Sequence, residues 1–176
     1  MKIKSVAIEN FRGYQQKAVV CFENLTSIVG RNDIGKSTIM EALDIFFHDG
    51  KGLIKLDKDD INKTGKKSGN TDITISVCFT ELPQCVVIDS SNETTLADEF
   101  LLNKEGYLEV SKTFKNATTT ATGMRVAIRA NHPTNPLCAD LLLKKQAALN
   151  SIVDELGVEC EDKRKNACLR KAIWNK

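Results

Sequence analysis

The chain has 176 residues, of which 41% are hydrophobic and 27% are charged, so it is long enough for one domain with a real core. Its formal net charge of +2 is close to neutral, and bulk charge therefore gives no reason to expect a nucleic-acid partner. No secretory signal or long apolar run is recognisable, which excludes a membrane span and predicts a cytoplasmic location.

The opening residues predict two strands. Met1 to Tyr14 is interpreted as a strand that ends in a turn at Gly13, and a second strand is expected around Ala18 to Phe22. The short β-branched and apolar run from Leu25 to Val29 predicts a third, buried strand.

A phosphate-binding loop follows directly. Residues 30 to 38 fit the pattern G-x-x-x-x-G-K-[ST], in which glycines let backbone N–H groups surround phosphates at the start of a helix. Lys36 is expected to reach the β- and γ-phosphates and Ser37 to bind Mg²⁺, while Thr38 lies on the α-phosphate side. The predicted contacts to ATP from this loop are Gly30, Arg31, Asn32, Asp33, Ile34, Gly35, Lys36, Ser37 and Thr38. The alternative is a glycine-rich turn that matches by accident, against which the flanking strand and helix argue.

The helix after the loop is predicted from apolar residues that recur on one face. These residues are Ile39, Ala42, Leu43, Phe46 and Phe47. His48 to Gly50 supplies a stop. The acidic residues Asp57, Asp59 and Asp60 then indicate a polar loop or helix start, with a metal site as the less favoured alternative.

The middle of the chain is predicted to be rich in β-structure. Alternating apolar residues indicate strands at Ile73 to Phe79, Leu108 to Phe114 and Met124 to Ala130, and the last two are expected to form an antiparallel hairpin. The polar stretch Asn62 to Asn70 is the most flexible-looking segment. Its lysines are interpreted as a solvated loop rather than as DNA contacts.

Helices are predicted after Asp140. Leu142, Leu149 and Leu156 are spaced by sevens and Gly157 ends the pattern, so the helix packs either on this chain's own core or on another subunit. The stretch from Glu161 to Lys176 also has helical composition, with a lone tryptophan near its end.

Six cysteines are scattered along the chain without a CxxC pair or a histidine cluster. They occupy positions 21, 78, 85, 138, 160 and 168. This spacing argues against a zinc site and predicts free, mostly buried thiols in a reducing compartment.

The first fifty residues resemble a known family. The strand end Glu-Asn-Phe-Arg-Gly-Tyr at residues 9 to 14 and the loop Gly-Arg-Asn-Asp-Ile-Gly-Lys-Ser-Thr are similar to the ABC-type ATPase heads of the RecF and SMC group. Within that group the chain most resembles the OLD (overcoming lysogenization defect) family, whose relatives include ATPase subunits of Gabija-type anti-phage systems. The implied fold is α/β: the N-terminal part of a P-loop ABC-type ATPase head with an antiparallel β-layer and C-terminal helices.

The resemblance also implies roles for two further residues. It assigns Arg12 to the nucleotide phosphates, the alternative being a solvated turn residue. It places Asn32 opposite the γ-phosphate, the alternative being a loop asparagine that binds backbone.

Several parts of a complete ABC-type head are not found in the sequence. They are a signature segment like Leu-Ser-Gly-Gly-Gln, an apolar strand ending in Asp-Glu, and a Toprim-like acidic cluster. Catalytic residues are therefore unassigned, and poor hydrolysis is expected because phosphoryl transfer depends on positioned charges. We interpret residues 1–138 as the N-terminal part of the ATPase domain and 139–176 as a helical segment that leads into a dimerisation or arm region of a longer protein.

Two functions fit this interpretation. The first is the ATP-binding segment of an OLD-type ATP-dependent DNA endonuclease, with Mg²⁺ as cofactor, in DNA processing or anti-phage defence. Its implied partners are a second copy of the ATPase head, DNA, and a helicase-like or effector protein. The second function is a nucleotide-sensing scaffold that has no nuclease of its own and controls a separate effector.

Overall fold

The computed structural model describes residues 1–29, 35–89 and 93–176. These residues form two compact units, each of which is discontinuous in the sequence. Unit 1 contains Met1–Glu81 and Glu109–Arg129. Unit 2 contains Leu82–Leu108 and Ala130–Lys176.

The strands of the described residues fall into two sheets. Their bounds are β1 Lys2–Glu9, β2 Ala18–Cys21, β3 Ile73–Thr80, β4 Val86–Val87, β5 Glu93–Thr94, β6 Leu108–Phe114 and β7 Met124–Arg129. The larger sheet has the order β2-β1-β3-β6-β7, and β1 pairs antiparallel with both β2 and β3. The predicted hairpin is confirmed, because β6 pairs antiparallel with β7 and places Glu109 opposite Arg129. Strands β4 and β5 form the small second sheet.

The core of unit 1 lies on one face of the larger sheet. Val6 pairs with Val77 and Ile8 with Ile75, and all four side chains are at most 1% exposed. Helix α1 (Lys36–Phe47) packs against β1 and β3. Its buried positions are Thr38, Ile39, Ala42, Ile45 and Phe46. The predicted helix is therefore confirmed, although Phe47, expected on the buried face, is half exposed.

The prediction of a buried strand from Leu25 to Val29 is wrong. Neither residue belongs to a strand, and their exposed fractions are 91% and 86%. A β-branched run becomes a buried strand only where neighbouring strands pair with its backbone and cover its side chains. No such pairing is found for this run within the described residues.

The segment Asn62 to Asn70 is also more ordered than predicted. It contains the short helix α2 (Lys63–Lys67), whose first N–H groups are bonded by the side chain of Asn62. Gly65 is buried beneath Asn10, and an added Cβ there would overlap the amide oxygen of Asn10. Lys63, Lys66 and Lys67 are exposed, as a solvated surface requires.

Unit 2 contains the two C-terminal helices, α3 (Gln146–Leu156) and α4 (Asn166–Trp174). Leu149 and Val153 of α3 are fully buried in a cluster with Leu169 and Ile173 of α4. Of the two alternatives left by the leucine spacing, this helix therefore packs on its own chain. It ends at Gly157, whose φ of 60° lies in the left-handed region that favours glycine.

Trp174 is a core residue and not a loose terminal side chain. It is 8% exposed, and its ring stacks edge-on with Phe100 at 5.2 Å and with His132 at 5.7 Å. Aromatic residues bury large areas, and edge-to-face pairs add a further favourable contribution. The last helix is therefore held to unit 2 by aromatic contacts.

A buried ion pair also holds α4 within unit 2. Arg170 and Glu99 are both 1% exposed, and the guanidinium donates to both carboxylate oxygens of Glu99, at 2.7 and 2.5 Å. Asp89 accepts a third bond at 2.9 Å. Burial alone would lower the pKa of Arg170, but the bonds to Glu99 and Asp89 outweigh it and raise that pKa.

The expectation of mostly buried thiols is wrong. All six cysteines are free, but only Cys138 is buried, whereas Cys21 and Cys85 are exposed. Cys78, Cys160 and Cys168 are intermediate. Within the described ranges, no helix is long and apolar enough to cross a membrane.

Candidate nucleotide-binding site

The structure places the end of the predicted phosphate loop at the start of helix α1. Gly35 is the N-cap residue, with φ 73° and ψ 15°, and Lys36 is the first helical residue. The earlier loop residues lie outside the described part of the chain. These are Gly30, Arg31, Asn32, Asp33 and Ile34.

The first turn of α1 has the character of an anion site. It carries no acidic residue, and among the residues that the structure describes no side chain caps its backbone N–H groups. These groups and the helix dipole favour a negative ligand. Ser37 is exposed and Lys36 is partly exposed, whereas Thr38 is buried. The roles of Lys36 and Ser37 toward phosphate and Mg²⁺ stay predictions.

Tyr14 packs against the cap of this helix and was missed by the sequence analysis. Its hydroxyl donates to the carbonyl oxygen of Gly35 at 3.4 Å. A Cβ added to Gly35 would lie only 3.3 Å from that hydroxyl oxygen. Gly35 is thus required both by its left-handed backbone and by the aromatic ring beside it.

Arg12 lies beside α1, but two carboxylates hold its guanidinium. Its Nε donates to Oδ1 of Asp60 at 2.8 Å, and its NH1 forms an ion pair with Glu41 of α1. The guanidinium also lies over the ring of Phe11, 5.0 Å from its centroid. Arg12 is therefore not the freely solvated residue of the alternative interpretation, and its role toward phosphate stays a prediction.

The turn that carries Arg12 is fixed by the segment around Asp60. The Arg12 N–H donates to the carbonyl of Asp60, and the amide of Asn62 donates to the carbonyl of Arg12, both at 2.6 Å. The buried amide of Asn10 donates to the carbonyls of Asn70 and Asp72. These bonds connect the end of β1 to α2, and no local pattern in either segment indicates them.

The acidic residues at positions 57, 59 and 60 start a helical turn, as predicted. Asp57 accepts from the N–H of Asp59, and Asp60 accepts from the N–H of Asp57 in return. This is a capping box. No group of three potential metal ligands occurs in the ranges that the structure describes, so the metal alternative finds no support there.

Comparison with known protein families identifies the class of this domain. A model of the AAA ATPase domain family matches residues 1–176, which is the full length of the chain. The chain belongs to that family. The AAA ATPase domain provides ATP binding, and with the observed sheet and helices it confirms the predicted class of a P-loop ATPase head.

Two solved structures are similar to this ATPase domain. One is described as "Structural biochemistry of ATP-driven dimerization and DNA stimulated activation of SMC ATPases", at 19% identity and a TM-score of 0.46. The alignment covers 74% of this chain and 70% of that chain. The other is the SMC head domain from Thermotoga maritima, at 16% identity and a TM-score of 0.41, covering 74% of this chain and 38% of that chain. No curated protein matches the chain.

Proposed function

We propose that the start of helix α1 binds the phosphates of ATP, and that this chain is the ATP-binding segment of an OLD-type ATP-dependent DNA endonuclease. The observation that supports the nucleotide site is the left-handed Gly35 at the N-terminus of α1, with Lys36 and Ser37 in the first turn. Membership of the AAA ATPase domain family supports the same nucleotide.

Each residue has a distinct role in this proposal. Lys36 neutralises the β- and γ-phosphates, and the Ser37 hydroxyl binds the Mg²⁺ ion that accompanies ATP. Arg12 is held beside α1 by ion pairs with Glu41 and Asp60, so in this proposal its guanidinium must give up a carboxylate partner to contact a phosphate. Bound ATP supplies a γ-phosphoryl group whose transfer needs a positioned water, and the sequence contains no recognisable residue pair for that task.

Calorimetric titration with a slowly hydrolysed ATP analogue and Mg²⁺ tests the nucleotide site. We expect Lys36→Ala to weaken binding at least about tenfold, because it removes a charge that contacts phosphate. Lys51→Ala, an exposed lysine just beyond the other end of α1, is the control and should bind as the unmodified chain does. Equal affinity in all three proteins would contradict the proposal. Rapid ATP turnover by this chain would contradict the expectation of slow hydrolysis.

The nuclease part of the proposal rests on the resemblance of the first fifty residues to the OLD family. Its test is cleavage of plasmid DNA by the full-length protein, with ATP and Mg²⁺. Cleavage that is lost in Lys36→Ala supports the endonuclease. ATP binding without cleavage would support the scaffold that controls a separate effector.

We further propose that the partners are a second ATPase head and DNA. Light scattering with and without ATP tests the first, and a filter-binding assay with duplex DNA at several salt concentrations tests the second. A molar mass that does not change with ATP would refute the second ATPase head as a partner. Absence of DNA retention on the filter at low salt would refute DNA as a partner.

A further inference from the structure

A cavity in unit 2 brings two cysteines together. It has a volume of about 210 Å³ and lies between the segment 159–161 and helix α4. Cys160 contributes from the segment and Cys168 from the first turn of the helix, with Lys171 one turn further along. The segment belongs to neither helix nor strand, so it can move toward the helix more easily than a regular element can.

The two thiols are close enough to influence each other. Burial raises the pKa of Cys168, and the neighbouring Cys160 acts in the same direction, as do Glu161 and Asp162, whereas Lys165 opposes them. Cys160 also packs at the edge of the buried cluster of unit 2. Both side chains are intermediate in exposure, so small reagents can reach them while the fold limits their motion.

We propose that Cys160 and Cys168 form a redox-sensitive dithiol that peroxide converts into an intramolecular disulfide. In the first step the Cys160 sulfur attacks one oxygen of hydrogen peroxide and the O–O bond breaks. Cys160 becomes a sulfenic acid, and the second oxygen departs as water. In the second step the Cys168 sulfur attacks that sulfenic sulfur and an S–S bond forms. The leaving hydroxide takes the Cys168 proton and departs as water. The two thiols together lose two electrons, and the peroxide is reduced to two waters.

The bond would join the segment after α3 to the first turn of α4. Both helices contribute to the buried cluster of unit 2. The disulfide of the oxidised form would therefore hold the segment between α3 and α4 against the start of α4. A thiol reductant reverses the bond by exchange. A second cavity among the described residues, at residues 7, 9, 17, 74, 76 and 129, has no cysteine.

The sequence makes a direct test available. Lys163, Arg164 and Lys165 lie between the two cysteines, so trypsin separates Cys160 and Cys168 into different peptides. The folded chain is treated with hydrogen peroxide, its remaining thiols are alkylated, and the digest is examined by mass spectrometry without reduction. We expect the peptides 146–163 and 166–170 to appear as one linked species, lighter than their sum by two hydrogens.

Three variants test whether the disulfide forms between Cys160 and Cys168. Cys160→Ser and Cys168→Ser should each abolish the linked species, and Cys85→Ser, at an exposed cysteine, should leave it unchanged. Treatment with dithiothreitol should restore two separate peptides. Oxidation of either cysteine only to sulfinic acid, or a link only to cysteines 21 or 85, would overturn the proposal. Circular dichroism before digestion verifies that each variant is folded.

Discussion

The guanidinium of Arg12 donates a hydrogen bond of 2.8 Å to the carboxylate of Asp60, although 48 positions separate the two residues in sequence. Glu41 of α1 binds the same guanidinium from the other side. Arg12 thereby joins the turn after β1 to helix α1 and to the capping box that begins at Asp57. Tertiary contacts, and not the turn alone, therefore fix the position of the Arg12 side chain.

Neutralising Asp60 should destabilise unit 1. In Asp60→Asn one acceptor oxygen becomes an NH₂ group, so the side chain can no longer accept from both Arg12 and the Asp57 N–H, and the bond to Arg12 loses its charge assistance. We expect a loss of about 1–3 kcal/mol in the free energy of unfolding. The measurement is urea denaturation followed by circular dichroism. Asp59→Asn alters an exposed neighbour of the same type and should change stability by no more than about 0.5 kcal/mol. Equal effects of the two variants would refute a specific role for Asp60.

Replacing Gly35 should impair the nucleotide site. Gly35→Ala forces a side chain into a left-handed backbone and brings a Cβ against the Tyr14 hydroxyl, so we expect weaker binding of the ATP analogue by more than about tenfold. Calorimetric titration measures the affinity. Gly69→Ala is a matched control, because Gly69 also has a positive φ, of 84°, but an added Cβ there meets nothing within 4 Å. Unchanged affinity in Gly35→Ala would contradict the proposed placement of the phosphates.

The buried pair of Arg170 and Glu99 should respond strongly to loss of one partner. Glu99→Gln leaves a buried guanidinium without its main counter-charge, and we expect a loss of about 3–5 kcal/mol in the free energy of unfolding. Glu105→Gln, at an exposed glutamate of the same unit, should be nearly neutral. The double variant Arg170→Met with Glu99→Met should recover much of the loss, because apolar side chains remove the unpaired charge. A double variant as unstable as Glu99→Gln would contradict this explanation.

Asp98 should make the stability of unit 2 depend on pH in the acid range. A hydrogen bond from Thr95 lowers the pKa of Asp98, and the neighbouring Lys171 lowers it further. A lowered folded pKa gives stability that is present above the unfolded pKa, about 4 for aspartate, and is lost as pH falls through the folded value. The unfolding midpoints of the unmodified chain and Asp98→Asn should therefore differ at pH 7 and converge as the pH falls below the folded pKa of Asp98. If the difference between the two midpoints stayed the same at every pH, the charge of Asp98 would not be the cause of the change in stability.

Local patterns predicted the regular elements of unit 1 well. Alternating residues indicated β1, β3 and the β6–β7 hairpin, and the period of apolar residues indicated α1. The loop motif likewise placed the N-terminus of that helix at Lys36. These elements could be predicted because a strand or an amphipathic helix repeats its buried positions at a fixed spacing in the sequence.

Long-range contacts were not predictable in the same way. The run Leu25 to Val29 has the composition of a strand, but pairing depends on neighbours that its own residues do not specify. The partners of Arg12, the contact between Tyr14 and Gly35, and the burial of Trp174 each join residues far apart in sequence. The bonds of the buried Asn10 amide to the carbonyls of Asn70 and Asp72 likewise join segments about 60 residues apart.

The position of β1 in the larger sheet determines when unit 1 can form during protein synthesis. The first strand of the chain lies between β2, which follows within a few residues, and β3, which begins only at Ile73. The sheet is complete only after β7, which ends at Arg129, has been synthesised. Residues 82–108 belong to unit 2, so they can pack only after the C-terminal helices have been synthesised. Such distant pairings slow folding, because the loops between partners must close before the contacts stabilise them. We therefore expect nascent chains that end before Ile73 to expose the apolar face of β1 to chaperones.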